Sequence, residues 1–314
     1  MDADHSIEGF RMISNCCGDN FHSAVNYEPR EDDVIIVGYP KCGTTWTQYI
    51  VSSIFTSGNP ANTTLDFMLS SPTIELMGAE AVRKMPRPGA FKTHLPLHKI
   101  NYSPRAKYIY VVRNPYDCCV SFYHFSKYFT PKQRKEVSFD SFLGMFLSGK
   151  LVYMDYMDHL LSWYQHRNDP NVLFITYERL KKDTSYWVLR IADFLGEEYG
   201  RALRGSEDLL KKVLDSCSTQ NMKAVLTDST IQWIQKALDL PLEQRISSLE
   251  VYRLNLTCKK EMHPGEGFVR KASVGDWRSY FTPEQVERMK ARIAEKTAGM
   301  PEVFSVWEDL HIPL

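Results

Sequence analysis

The stretch Val34–Gln48, VIIVGYPKCGTTWTQ, decides how the rest of the chain is read. Its first four residues are apolar and β-branched without a break, the pattern of a central strand buried on both faces. Gly38 ends the run, and TTWTQYIVSSIF from Thr44 onward has the composition of a helix packed on a sheet. A strand, a glycine-bounded loop and a helix N-terminus bring several backbone N–H groups to one point, which makes a cradle for a phosphate. Gly38 and Gly43 have the spacing of a phosphate-binding loop, but the lysine expected after the second glycine is replaced by Thr44. The lysine stands inside the loop, at Lys41. From the crest of the loop it reaches past a bound 5′-phosphate toward whatever group is transferred.

Composition narrows the classes open to the chain. At 314 residues it can bury a large core, and 38 Lys+Arg balance 38 Asp+Glu. Neither a nucleic acid nor a membrane surface is implied as partner. No apolar run approaches a membrane span, and the N-terminus, MDADHSIEGF, reads as neither signal nor transit peptide. The seven cysteines lack C-x-x-C or zinc-finger spacing, and the nine histidines are scattered along the chain. Reduced thiols in the cytoplasm, no metal, and silent N-x-T matches at Asn62 and Asn255 are the expectation.

In chain order, residues 1–30 lack periodicity and read as an arm anchored by Phe10, Phe21 and Tyr27. Residues 65–88, with three prolines, read as short helical turns. AFKTH (Ala90–His94), KYIYVV (Lys107–Val112) and VLFITY (Val172–Tyr177) are further strands. Asn114-Pro115-Tyr116-Asp117 is a helix start, with Asn as cap, Pro at the first position and an acid in the first turn. Helices are expected over 138–147, 152–168, 185–195, 207–216 and 283–297. Strands alternating with helices predict an α/β fold, a P-loop-like three-layer arrangement with a mostly parallel sheet covered on both faces, in one domain over 1–314.

Three clusters fall just past strand ends, where a parallel sheet places its ligands. In Phe91-Lys92-Thr93-His94-Leu95-Pro96 the strand alternation puts Lys92 and His94 on one face, a cation and a general base near one atom. Taken alone, the fragment reads better as a surface lysine and a capping histidine; His98 is a weaker candidate base. Arg113 closes a strand and Ser121 lies two turns into the next helix, so a guanidinium and a hydroxyl can meet one phosphate. Arg270-Lys271-Ala272-Ser273-Val274-Gly275-Asp276-Trp277 sets two cations beside a glycine turn.

The order YPK-x-GTTW, KTH, R-x7-S, TYE and RK-x3-GDW resembles the cytosolic sulfotransferases, from about Val34 to Glu287. The resemblance implies transfer of a sulfonate group from PAPS (3′-phosphoadenylyl sulfate) to a hydroxyl or amine. It implies that Lys41, Gly43, Thr44 and Thr45 hold the 5′-phosphosulfate, that Trp46 stacks on adenine with Tyr177 nearby, and that Arg113, Ser121, Arg270 and Lys271 grip the 3′-phosphate. It makes His94 the base with Lys92 beside it. Sulfonate transfer is an in-line displacement that needs a base on the acceptor and cations on the spreading negative charge, which His94, Lys41 and Lys92 would supply. An unperturbed His94, near pKa ~6.5, would accept a proton at neutral pH.

Several positions depart from the family pattern. Cys42 stands for a commoner serine, Cys217-Ser218-Thr219 replaces T-S-F against the adenine, and Ala272 replaces a glycine. Ser218 is retained as a cofactor contact. Lys223–Phe268 aligns with nothing in the pattern and reads as an enlarged active-site lid loop carrying one helix, Ile231–Leu238. Arg278, Thr282, Pro283 and Glu287 match a K-x3-TV-x3-E pairing motif in part, so a homodimer is an open expectation. Phe21, Tyr123 and Phe125, with Tyr128 and Phe129, suggest a flat small-molecule acceptor of phenol, catecholamine or hydroxysteroid type. A P-loop nucleotide kinase would need Lys at position 44, and a catalytically weak PAP-binding protein would have lost the base.

Overall fold

A two-residue antiparallel hairpin, β1 (Ser6–Ile7) and β2 (Phe10–Arg11), leads through helix α1 (Gly18–Val25) to a four-stranded parallel sheet. The computed structural model describes residues 6–13, 16–128, 137–253, 271–310 and 312–313. The sheet strands are β3 (Val34–Val37), β4 (Ala90–Thr93), β5 (Lys107–Val112) and β6 (Val172–Thr176), in spatial order β4–β3–β5–β6. The register sets Ile36 opposite Lys92 on one side and Ile109 on the other, so β3 and β4 end level while β5 and β6 run two residues further.

Both faces of β3 are buried, as its unbroken apolar run requires. Ile35 and Val37 join Phe91, Tyr108, Tyr110 and Val112 in one core; Val34 and Ile36 join Ala90, Ile109, Val111 and Ile175 in the other. Helices α2 (Thr44–Phe55), α3 (Thr64–Ser70) and α9 (Thr184–Leu195) cover the second face. The first is covered by α5 (Pro115–Tyr128), α6 (Phe139–Leu147), α7 (Tyr156–Tyr164) and α14 (Pro283–Thr297).

Caps set the boundaries. Asn114 Oδ1 accepts the Asp117 N–H at 2.9 Å and opens α5. Thr176 Oγ1 accepts the Arg179 N–H at 3.3 Å, so Tyr177 opens α8 (Tyr177–Lys182) instead of ending β6. Asp155 accepts from Met157 and Asp158, which starts α7 later than the hydrophobic pattern from residue 152 predicts. Thr282 and Gln285 form a capping box, with Pro283 at the first helical position of α14.

Three expectations are sharpened or corrected. The N-terminal arm is more regular than its sequence suggests, since the hairpin and α1 are defined elements, and its expected anchors Phe10, Phe21 and Tyr27 are buried in the core. Residues 65–88 hold the expected short elements, α3 and α4 (Ile74–Lys84), the latter two short helical pieces that meet at a kink at Gly78, whose φ is +78°. The prolines there, at 72, 86 and 88, fall outside both helices and mark their ends.

The third correction concerns the expected lid. After α10 (Glu197–Gly205) and α11 (Glu207–Ser216), residues 219–252 form α12 (Thr219–Val225), α13 (Thr230–Leu238) and two 3-10 turns, Leu242–Gln244 and Ser247–Tyr252. Trp233, Ile234, Ala237 and Leu238 form one apolar stripe on α13 and are buried with Leu249 and Tyr252. Tyr252 also donates to the Leu76 carbonyl at 2.6 Å. Residues 223–253 are therefore core structure; the remainder of that span, 254–268, lies outside the described residues. Among the described residues no helix is long and apolar enough to cross a membrane.

Trp233→Ala tests this assignment. A core tryptophan lost to alanine lowers unfolding free energy by about 3–5 kcal/mol, whereas one on a loose lid costs well under about 1 kcal/mol. Chemical denaturation of the two proteins separates these outcomes.

Candidate active site

The loop after β3 is shaped by glycines at both ends. A Cβ on Gly38 would stand 2.4 Å from the Val111 carbonyl oxygen of β5, a backbone contact that cannot yield. Gly43 is the cap of α2 with φ +102°, and a Cβ there would meet the Tyr177 ring at 2.8 Å. Between them the Cys42 N–H returns to the Tyr39 carbonyl at 3.2 Å, and Lys41 takes a left-handed φ of +74°. Thr44 opens α2, so the helix N-terminus faces the cradle. Cys42 is buried 3.8 Å from the Cys118 thiol, which itself donates to the Pro40 carbonyl; Cys42 thus serves the loop through its backbone.

β4 brings two side chains to the same place. Lys92 Nζ donates to Thr45 Oγ1 at 3.0 Å. His94 follows directly after β4, and its Nδ1 lies 2.6 Å from the Gly38 carbonyl oxygen. A carbonyl only accepts, so Nδ1 carries the proton and Nε2 is the basic nitrogen. The His94 main-chain N–H donates to Glu75 Oε1 at 2.9 Å. Burial, and next the Lys92 charge, hold the His94 ring down to about 3, so the ring is neutral at neutral pH and is not near its unperturbed value. Burial also pushes Lys92 down to about 8, against the opposing pull of the Glu75 carboxylate.

The opposite wall comes from β5, α5, α8 and the 271–277 loop. The Arg113 guanidinium lies 4.5 Å from the centre of the Tyr177 ring and donates to the Ser273 carbonyl at 2.7 Å. Asp117 fixes that loop to α5 by accepting from the N–H groups of Gly275 (2.7 Å) and Trp277 (3.0 Å). Glu178 accepts from Asn114 N and Nδ2 and from Trp307 Nε1, tying the C-terminal segment to the strand end that carries Arg113. Lys271 Nζ rests on Asp276 at 3.0 Å. Ala272 has a left-handed φ of +53°, which accounts for the glycine usual there in the family pattern. Trp46 is fixed by its Nε1 donating to the Cys217 carbonyl at 3.0 Å, with its ring edge-on to Tyr177.

These residues line one cleft of about 170 Å³. It brings together Lys41, Gly43, Thr44, Thr45, Trp46, Lys92, His94, Arg113, Ser121, Tyr177 and Lys271. Arg270 lies outside the described residues. Ser218 is not on the cleft wall; it caps α12 by accepting the Asn221 N–H, and its neighbour Thr219 lines the cleft with Met222. Of the expected acceptor residues, Phe125 lines the cleft, where Lys41 Nζ lies 3.9 Å from its ring centre. Tyr123 packs on Phe139 and Phe142, and Phe21 stacks on Phe10 in the core. Phe129 lies outside the described residues, as does the side chain of Tyr128. His98 lines a separate cavity with Phe10 and Tyr153.

The cleft also holds residues that sequence reasoning missed. His124 and Lys181 follow Ser121 and Tyr177 by one helical turn, at i+3 and i+4, and that spacing is the signal that marks them. Among the described residues no group of three or more His, Cys, Asp or Glu could hold a metal ion.

A model of the sulfotransferase domain matches residues 31–301. The chain belongs to the sulfotransferase family. This sulfotransferase is 33% identical to the rabbit (Oryctolagus cuniculus) amine sulfotransferase over 291 residues, 90% of this chain and 86% of that one. It is 33% identical to the guinea pig (Cavia porcellus) 3-alpha-hydroxysteroid sulfotransferase, covering 96% of this chain and 97% of that one. The crystal structure of mouse sulfotransferase SULT7A1 complexed with PAP superposes with a TM-score of 0.68 at 29% identity, covering 97% and 98% of the two chains. The P-loop-like α/β fold is common to this chain and that structure.

The Lys92 environment sets a pH test of this sulfotransferase with PAP as probe. Lys92 is charged below its pKa, so PAP affinity holds across neutral pH and falls as pH rises through about 8. Lys92→Arg, charged at every working pH, removes that fall. Calorimetric titration across the range measures both; a fall centred near ~6.5 would instead implicate a histidine of ordinary pKa.

Proposed function

We propose that this protein transfers the sulfonate group of PAPS to a hydroxyl or amine of a small acceptor in the cytoplasm, with His94 as general base. The observation that carries the reading is the 2.6 Å contact of His94 Nδ1 with the Gly38 carbonyl. It fixes the base on the phosphate loop itself and leaves Nε2 basic beside Lys92.

The residues present fit PAPS. Gly38 and Gly43 let the loop pass where a Cβ would strike Val111 and Tyr177, and the α2 N-terminus, Thr44, Thr45 and Lys92 suit the 5′-phosphosulfate. Trp46 and Tyr177 offer ring surface for adenine, while Arg113, Ser121 and Lys271 suit the 3′-phosphate. PAPS supplies an electrophilic sulfonate on a phosphate leaving group. His94 Nε2 takes the acceptor proton as the new O–S or N–S bond forms and the bond to the 5′-phosphate breaks. Lys41 and Lys92 offset charge on the sulfonyl and bridging oxygens. Burial, Lys92 and Lys41 all disfavour a protonated His94, and the doubly negative phosphosulfate would offset the two lysine charges, so the base strengthens when the co-substrate binds.

The acceptor follows from the cleft wall and the relatives. Phe125 offers a flat apolar face, and the named relatives act on amines and a 3-alpha-hydroxysteroid. Labelled PAPS with a panel of phenols, amines and hydroxysteroids tests the activity directly. His94→Ala lowers kcat by roughly 10²–10⁴-fold and leaves PAP affinity nearly unchanged, because the base faces the acceptor. Near-normal turnover removes His94 from the mechanism.

The 3′-phosphate gives a second test. Hydrogen bonds to charged groups contribute roughly 1.5–3 kcal/mol each, so PAP binds at least about 10²-fold more tightly than AMP. Arg113→Ala erases much of that difference and spares AMP affinity. Equal affinities for PAP and AMP in the wild type would overturn the nucleotide assignment.

A further inference from the structure

Glu75 is a buried charge for which the chemistry above has no task. It lies in the first turn of α4, wholly buried, and burial raises its pKa. The Lys92 charge acts on it, but among the described residues no lysine, arginine or histidine comes within ion-pair distance of it, and its Oε2 has no hydrogen-bond partner. An unpaired buried carboxylate is destabilising, and an apolar side chain of similar volume is usually neutral or better in such a place.

What the carboxylate does hold is the surroundings of His94. Oε1 accepts the His94 main-chain N–H at 2.9 Å and the Tyr153 hydroxyl at 3.2 Å. The Tyr153 ring stands edge-on to the imidazole, 5.3 Å between centres. Tyr153 and Met154 both adopt left-handed backbone, φ +64° and +66°, which residues with a Cβ rarely take in succession. That conformation is kept by the Tyr153 N–H on the Arg11 carbonyl (2.8 Å) and the Tyr39 hydroxyl on the Met154 carbonyl (3.1 Å). Strain of this kind concentrates at functional sites.

His94 is therefore held at three points: its main chain by Glu75, its Nδ1 by Gly38, and its ring edge by Tyr153. Nε2 alone is left for the acceptor. A base displaced by about 1 Å can lose about 10²-fold in rate, so such a clamp acts on kcat and not on nucleotide binding.

We propose that Glu75 is a positioning residue for sulfonate transfer, holding His94 through its main-chain N–H and through the ring of Tyr153. The inference rests on His94 being the base. Its role is geometric: the oxygen of an amide accepts the same two hydrogen bonds.

Three variants test it, each with kcat at saturating substrates, PAP affinity and thermal unfolding. Glu75→Ala lowers kcat by about 10–100-fold while PAP affinity stays within about 3-fold. Glu75→Gln regains most of the lost kcat. Tyr153→Phe, which loses only the hydroxyl, lowers kcat by about 3–10-fold at unchanged PAP affinity. A folded Glu75→Ala with wild-type kcat overturns the proposal, and so does Glu75→Gln as impaired as Glu75→Ala, which would assign the effect to charge. Should Glu75→Ala fail to fold, Tyr153→Phe and Glu75→Gln decide, and wild-type turnover in Tyr153→Phe overturns it. His94→Ala is run alongside. Its collapse with an unaffected Tyr153→Phe overturns the clamp alone, whereas its near-normal turnover removes the base and the clamp together.

Discussion

At the end of β3 the chain passes so close to β5 that position 38 has no room for a side chain, because a Cβ would lie 2.4 Å from the Val111 carbonyl oxygen. The close approach lets β3 stay paired to its last residue and then turn at once into the phosphate loop. The parallel register, with Val37 opposite Thr93, sets the next residues, Gly38 and His94, side by side. Their 2.6 Å contact follows from that neighbourhood. Base, loop and the lysine of the adjoining strand thus share one short piece of backbone, and movement of any one is felt by the others.

The cleft gathers positive charge in a chain with none to spare, since its formal net charge is zero. The cations rest on modest partners. Lys92 meets a hydroxyl, Lys41 lies over a phenyl ring, and Arg113 meets a carbonyl and a phenol ring, with Asp117 3.9 Å away. Lys271 has a carboxylate at 3.0 Å, on the exposed side of the cleft. The hydroxyl that meets Lys92 and the carbonyl that meets Arg113 orient these two cations without cancelling their field, which is what an anion site needs before its anion arrives.

The sheet was legible in the sequence because its strands are buried on both sides and so read as unbroken apolar runs. Lys107–Val112 matches the expected span, and β4 and β6 each end one residue early, where His94 leaves the strand and Thr176 turns to capping. Convergence of Lys41, Lys92, His94 and Arg113 on one cleft was legible too, since Lys92 lies near the end of a strand and the other three follow one. Helices were less so. Unfamiliar sequence hid α12, whereas α13, expected over Ile231–Leu238, is found over Thr230–Leu238. Ser218 and Thr219 show the limit at single residues: both sit at one helix start, and only the backbone geometry decides that the first caps and the second faces the cleft. Glu75 was silent because its partners, His94 and Tyr153, are distant in sequence and one of them is met through the main chain.

The tie between α5 and the last part of the chain bears on how the protein is made. Asp117 takes its backbone donors from Gly275 and Trp277, Glu178 takes the indole N–H of Trp307, and the Tyr116 hydroxyl reaches the Pro313 carbonyl. On a translating ribosome the strands and the phosphate loop emerge long before these partners do. Until then Asp117 and Glu178 are met by Asn114 but lack the donors of Gly275, Trp277 and Trp307. The cleft wall is thus completed by the 271–277 loop well after the phosphate loop and the base have emerged, and a chain released early carries them on an unfinished wall.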